Sequence, residues 1–83
     1  MDTNVIATIT IIIKDRSEAA TKVNALLSEY GNMVIGRLGL PYPKKGLYIV
    51  TLVIDANNDL IGALTGQLGQ LPDVKVKSTI AKI

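Results

Sequence analysis

The sequence predicts an α+β domain whose strands and helices follow the order βαββαβ. The main observation is an internal repeat: a gapless shift that places residues 10–13 on residues 51–54 also aligns apolar, acidic and turn positions along both halves. A second observation is that each half reads strand, helix, strand, and such a repeat fixes the architecture. Two of these units with right-handed crossovers interleave into a ferredoxin-like sandwich, a four-stranded antiparallel sheet with both helices on one face.

Composition limits the chain to one small domain, residues 1–83, and removes several classes of chemistry. The sequence has no cysteine and no histidine, so it lacks thiolates, disulfides, the commonest metal ligand and the commonest general base. We therefore expect no catalytic residue, no metal site and no cofactor. Small domains need extra stabilisation, and oligomerisation is the source that remains. The apolar runs are too short to span a bilayer, and we expect a cytoplasmic protein without a membrane partner.

The first half is predicted from its Ile- and Thr-rich start and an amphipathic stretch after it. Val5–Lys14 favours a strand. Asp15 is expected to cap the next helix, with Glu18 at capping-box spacing, and Gly31 is expected to end it in a left-handed conformation. The apolar stripe of this helix is Ala19, Ala20, Val23, Leu26, Leu27 and Tyr30. A second strand is predicted over residues 33–38.

The second half follows a loop predicted over residues 40–46, which contains two prolines and a glycine. A third strand is expected over 47–55. Asn57 or Asn58 then caps the second helix, and Asp59 suits the positive end of its dipole. The apolar stripe of this helix is Leu60, Ile61, Leu64, Leu68 and Leu71. Pro72 ends it, and the fourth strand runs from Val74 to about residue 80.

One face of the predicted sheet is more apolar than a water-facing sheet should be. The helices are expected on the side of Ile11, Ile13, Leu52 and Ile54. The opposite side carries Ile6, Thr8, Thr10, Ile12, Leu47, Ile49, Thr51 and Val53, with Val34 and Leu38 from strand two. Burying five aliphatic side chains of this side would contribute on the order of 10 kcal/mol before association costs. They are Ile6, Ile12, Leu47, Ile49 and Val53, and we expect a second copy to cover them in a dimer or tetramer.

Three glycines, Gly62, Gly66 and Gly69, lie along the second helix, where each costs about 1 kcal/mol relative to alanine. Tight packing on the sheet would explain them, and so would a groove for a partner or ligand. The turns at 15–17 and 57–59 present helix N-termini, which suit an anion or small ligand. In an oligomer they could meet the segment from Arg37 to Tyr42 of a neighbouring copy. The candidate ligand or interface residues are Arg37, Tyr42, Asn57, Asn58, Gly62 and Gly66.

Nucleic-acid binding and catalysis are both poorly supported by the residues. Residues 45–50 occupy the strand where RNA-recognition motifs carry stacking aromatics, but the stacking positions hold Leu47 and Ile49. A cation held by Asp15, Asp55 and Asp59 is a weaker explanation than helix capping, which accounts for Asp15 and Asp59. RNA binding and enzymatic activity are therefore not predicted.

Residues 57–71, followed by the alternating Val and Lys of 74–77, resemble the family of iron-only hydrogenase system regulators. Residues 23–27 and 36–41 resemble it as well. The resemblance implies an ACT-like domain similar to the C-terminal domain of nickel-responsive repressors, which assembles through its sheets and binds an effector at interfaces.

The chain departs from those relatives in ways that bear on function. It lacks the nickel-binding histidines and cysteine, it has no ribbon–helix–helix segment before strand one, and residues 14–17 lack the first-turn glycine of amino-acid-binding ACT domains. We therefore expect no direct DNA binding. The resemblance implies a non-enzymatic, oligomeric regulatory or ligand-sensing domain that acts through a small-molecule effector or a protein partner. The alternative is a purely structural protein-interaction module.

Overall fold

The computed structural model describes residues 3–14 and 18–81. Its strands are β1 Val5–Lys14, β2 Val34–Tyr42, β3 Leu47–Ala56 and β4 Val74–Ala81, and its helices are α1 Ala19–Glu29 and α2 Asn58–Gly69. The strands form one antiparallel sheet in the order β2-β3-β1-β4. The predicted ferredoxin-like fold is therefore confirmed.

The internal repeat coincides with the centre of the sheet. β1 and β3 are the two central strands, and Thr10 pairs directly with Thr51, the residue on which the repeat superimposes it. The two halves are thus related by an approximate two-fold axis that passes between these threonines. β2 and β4, the last elements of the two halves, become the two edges.

The core lies between the sheet and the two helices. Alternate residues of the central strands supply one side of it, and the buried residues of the helices supply the other. The central-strand set is Ala7, Ile9, Ile11, Ile13, Val50, Leu52, Ile54 and Ala56, and the helix set is Ala19, Val23, Leu27, Ile61, Leu64 and Leu68. Neither described helix combines the length and the hydropathy that a bilayer crossing requires.

Helix α1 begins and ends differently from the prediction. Glu18 occupies its N-cap position and makes no side-chain capping bond; the predicted cap, Asp15, lies outside the described residues. Gly31 is not left-handed but starts a short 3₁₀ turn, Gly31–Met33. This tight turn brings Met33 into the core, where it is buried.

Strand β2 is longer than predicted, because residues 40–42 belong to it rather than to a loop. Pro41 is tolerated since β2 is an edge strand with a neighbour on one side only. The connection to β3 shrinks to the 3₁₀ turn Pro43–Lys45 and Gly46, whose φ of 64° is left-handed.

Two side chains point away from their predicted positions. A register shift between Val34 and Gly36 inserts one extra residue into β2, and such a bulge reverses the alternation of faces. Val34 therefore packs against the core instead of lying on the open face. Leu60 was predicted in the stripe of α2 but is 42% exposed, and Ile61 takes the inward position.

Candidate functional site

The face of the sheet opposite the helices has two chemically different halves. Strand register places Leu40 beside Ile49 and Leu38 beside Thr51 on the β2 side. On the β4 side it places Lys75 beside Ile12 and Lys77 beside Thr10. The open face therefore grades from aliphatic at β2 to cationic at β4.

The apolar stripe of this face consists of Leu38, Leu40, Tyr42, Leu47, Ile49 and Val53. Its β2 members are the most open: Leu38 is 64% exposed and Leu40 49%. Its β3 members are half-buried by their neighbours in the sheet. The sequence predicts Leu38 on this face. For Leu40 and Tyr42 it predicts a loop, because the two prolines of this segment argue against a strand.

The five residues predicted as an oligomer face all occupy the open side of the sheet. Ile6 and Ile12 come from β1, and Leu47, Ile49 and Val53 come from β3. Each is half-buried within its own chain. Covering them with a second copy would therefore contribute less free energy than the complete burial of five exposed side chains. The exposed residues of β2 would supply additional apolar surface.

A pocket of about 300 Å³ lies at one corner of the open face. It is lined by Ile12, Lys14, Leu47, Asp73, Val74 and Lys75. The Lys14 backbone N–H donates to the Asp73 carbonyl at 3.1 Å. The Lys14 Nζ lies 3.8 Å from the Asp73 Oδ1. No sequence pattern predicts this pocket, since the alternation of Lys75 and Lys77 with two valines indicates only a strand.

A second pocket, of about 260 Å³, lies at the N-terminus of α2 and is lined by Thr3, Asn57, Asn58 and Asp59. The Asn57 Oδ1 accepts the Leu60 backbone N–H at 2.8 Å, so the predicted cap is confirmed for Asn57. The Asn57 side-chain oxygen, which lines the pocket, is therefore already engaged as an acceptor within the chain. Within the described part of the chain, no group of three acidic side chains forms a potential metal site.

Arg37 and Tyr42 do not join Asn57 and Asn58 within one chain. The Arg37 Nη2 donates to the Asn24 Oδ1 of α1 at 2.7 Å. Tyr42 pairs with Leu47, at the end of the sheet opposite to the one that leads into α2. A ligand that touches Tyr42 and Asn57 together would need a second copy of the chain.

Gly62 and Gly66 lie on the exposed outer side of α2. A Cβ atom at either position would meet nothing within 4 Å, whereas one at Gly69 would lie 3.5 Å from the Val76 Cγ1. The interpretation that all three glycines allow tight packing on the sheet is therefore wrong for Gly62 and Gly66. Nothing within the described residues requires a glycine at these two positions.

Comparison with known proteins gives a family and a fold. A family model, TM1266-like, matches residues 5–78, and its description proposes a regulator of the iron-only hydrogenase system. The structure of the protein TM1266 from Thermotoga maritima is 37% identical, with a TM-score of 0.92, and the match covers 95% of this chain and 99% of that one. A comparison with curated proteins gave no match.

More distant structures share the fold. The ACT domain of GTP pyrophosphokinase from Chlorobium tepidum is 20% identical with a TM-score of 0.78, and the match covers 93% of this chain and 100% of that domain. A nitrogen regulatory PII-like protein from Thiomonas intermedia K12, bound to ADP, AMP and bicarbonate, is 16% identical with a TM-score of 0.51; 94% of this chain and 96% of that one are covered. The fold is thus ACT-like.

Proposed function

Because the chain belongs to the TM1266-like family, we propose that it is a non-enzymatic regulatory domain of an iron-only hydrogenase system and that it works as a homo-oligomer. The family description and the ACT-like fold support a regulatory or ligand-binding role. An enzyme built from the polar residues of this chain would need a cleft that gathers two or more of Asp15, Arg37, Tyr42 and Asp59. Of these four, the two pockets include Asp59 alone, and Asp15 lies outside the described residues.

The apolar stripe is the observation that carries the oligomer. Leu38, Leu40 and Tyr42 project on one side of an edge strand, all exposed, and they continue into the half-buried aliphatic residues of β3. Large contiguous apolar patches on small proteins mark interaction surfaces. The partner that we propose for this stripe is a second copy of the chain, because the same stripe on that copy supplies a matching apolar surface.

The lysines limit how much of the open face the second copy can cover. Lys75 and Lys77 lie on the same face as the stripe, in the β4 half. Burying an ammonium group without a partner is costly. The proposed interface is therefore the apolar stripe, with Ile12 at its margin and Ile6 outside it, rather than the whole sheet.

An effector could then act by favouring one assembly or partner-binding state. We place the candidate effector site at the pocket of Asn57 and Asn58, completed by Arg37 or Tyr42 of another copy, since these two residues lie on opposite faces of β2. The exposed outer side of α2, with Gly62 and Gly66, is the surface left for a protein partner. We expect this assembly to act in the cytoplasm through such a partner rather than by binding DNA itself.

Sedimentation velocity of the wild-type chain at micromolar concentration tests the assembly. We expect a dimer or a larger species, and we expect Leu40→Glu to shift it to monomer, because the new carboxylate would be buried at the interface. Ile80→Glu is the matched control: Ile80 is 43% exposed and lies on the other edge strand, on the helix side of the sheet. A monomeric wild type, or equal effects of the two variants, would refute the interface.

A purely structural module is the second candidate function, and two contacts favour it. Arg37 is held by Asn24, and the Asn57 Oδ1 already serves as a helix cap, so two candidate ligand groups have partners within the chain. A thermal-shift screen of amino acids, nucleotides and metal ions separates the two functions. Reproducible stabilisation by one compound supports sensing. A flat screen with an intact oligomer supports the structural module.

A further inference from the structure

The corner pocket of the open face borders the apolar stripe, with which it shares Leu47, and neither proposed function assigns it a ligand. We infer that it binds a small amphiphilic anion, an aliphatic body that ends in a carboxylate or a phosphate. The pocket is lined by residues of β1, β3 and β4 of a single chain, so its formation needs no second copy. Sites supported by strands are held more rigidly than sites on loops.

Its charge favours an anion. Among the residues that the structure describes, its lining includes two lysines, Lys14 and Lys75, and one aspartate, Asp73. Lys14 is engaged by Asp73 at 3.8 Å. Lys75 forms no ion pair with any described residue, and Lys77 follows it on the same side of β4. A ligand anion at Lys75 would compensate the excess charge.

Its walls favour an aliphatic body. Ile12 and Leu47 supply aliphatic side chains on the open face, and the lining includes no aromatic ring on which a nucleobase could stack. The volume of about 300 Å³ is at the lower end of the range for small-molecule pockets, which are mostly apolar with a few polar groups. A short aliphatic chain therefore fits this lining better than a nucleotide or a divalent cation does.

The floor of the pocket is fixed by the backbone of the turn that leads into β4. Asp73 has a left-handed φ of 64°, and its carbonyl accepts the Lys14 N–H at 3.1 Å. These constraints hold the start of β4 against the end of β1. Lys75 and Ile12 then face each other across paired strands, which sets a cationic group beside an apolar wall.

A titration of the full, ¹⁵N-labelled chain followed by NMR tests the inference with four probes. Hexanoate and hexyl phosphate carry both features, hexan-1-ol carries only the aliphatic body, and acetate carries only the charge. We expect saturable shifts at the amides of Ile12, Leu47, Val74 and Lys75 with the two amphiphilic anions. We expect at least about tenfold weaker binding of the alcohol and of acetate. The preference between hexanoate and hexyl phosphate identifies the head group.

Two lysine variants locate the anion contact. Lys75→Gln should weaken hexanoate binding about fivefold, the size expected for loss of one exposed charge pair. Lys22→Gln, an exposed position on α1, should leave it unchanged, and the spectrum of each variant reports whether it is folded. Equal binding of hexan-1-ol, equal effects of both variants, or shifts spread over all lysines without saturation would overturn the inference.

The same titration separates this inference from the oligomer proposal. The Leu40→Glu variant changes the apolar stripe but no residue that lines the pocket. If the pocket binds as inferred, the variant binds hexanoate with unchanged affinity even as a monomer. Loss of binding in a folded Leu40→Glu monomer would show that the site belongs to the interface and would overturn the single-chain pocket.

Discussion

The phenol group of Tyr48 lies directly over Gly39. A Cβ atom built on Gly39 would lie 2.6 Å from the Tyr48 Oη and 3.3 Å from its Cζ. Both residues face the helix side of the sheet, Gly39 on the edge strand β2 and Tyr48 on β3. Tyr48 is half-buried and packs against the core. The close approach of the Tyr48 ring, and not a left-handed backbone angle, is therefore the reason that glycine suits position 39.

Gly39→Ala should destabilise the chain by about 1–2 kcal/mol, because the ring of Tyr48 must move to admit a methyl group. Tyr48→Phe removes the atom at 2.6 Å, so alanine at position 39 should cost less in the Tyr48→Phe background. Chemical denaturation of the two single variants and the double variant measures this coupling. Strictly additive losses would show that the contact does not determine the choice of glycine.

Asn57→Ala should reduce the free energy of unfolding by about 1 kcal/mol, because the Leu60 N–H loses its 2.8 Å acceptor at the start of α2. Asn58→Ala is the matched control. Asn58 is exposed in the first turn of the same helix, and its replacement should change stability little. Urea denaturation distinguishes them, and equal losses would mean that Asn57 does not act as the cap.

Gly62→Ala and Gly66→Ala should each stabilise the folded chain by about 0.5–1 kcal/mol, because both positions are open and alanine has the higher helix propensity. Gly46→Ala is the contrasting control: its φ of 64° is left-handed, and alanine there should destabilise by about 1 kcal/mol. Thermal unfolding at one fixed concentration checks all three. If Gly62→Ala or Gly66→Ala lowers the oligomer size, that glycine is a contact between copies.

Asp73 allows a test of backbone conformation against charge. Asp73→Ala should be less stable than Asp73→Gly by about 1 kcal/mol, because only glycine adopts a φ of 64° without strain. The ion pair with Lys14 joins side chains that are 73% and 43% exposed, so its loss should matter little. Chemical denaturation of Asp73→Ala, Asp73→Gly and Lys14→Met distinguishes backbone strain at position 73 from loss of the ion pair. A loss in Lys14→Met as large as that in Asp73→Ala would favour the ion pair.

Sequence patterns predicted the elements whose structure depends on local signals. The repeat located β1 and β3, and the pair Asn57 and Asn58 marked the start of α2. Local signals do not show which residues of β2 face the core and which face the open side. The extra residue between Val34 and Gly36 is imposed by pairing with β3, and Pro41 fits a strand only because that strand lies at an edge.

The candidate site was only partly predictable for a related reason. The apolar open face followed from the alternation of residues along the central strands. The corner pocket joins Ile12, Leu47 and Lys75, which lie far apart in the chain and meet only once the strand register is known. For Lys75 and Lys77 the sequence indicates only a solvated strand edge, since no local pattern shows that an aliphatic wall stands beside them.

The contrast between the two edge strands also determines where assembly can stop. If copies meet through the apolar stripe, each molecule buries that stripe, and a two-fold pair leaves neither stripe exposed. The remaining edge, β4, carries Lys75 and Lys77, and lysine on an edge strand discourages further sheet growth. The broken symmetry of the repeat thus favours a finite complex over a filament.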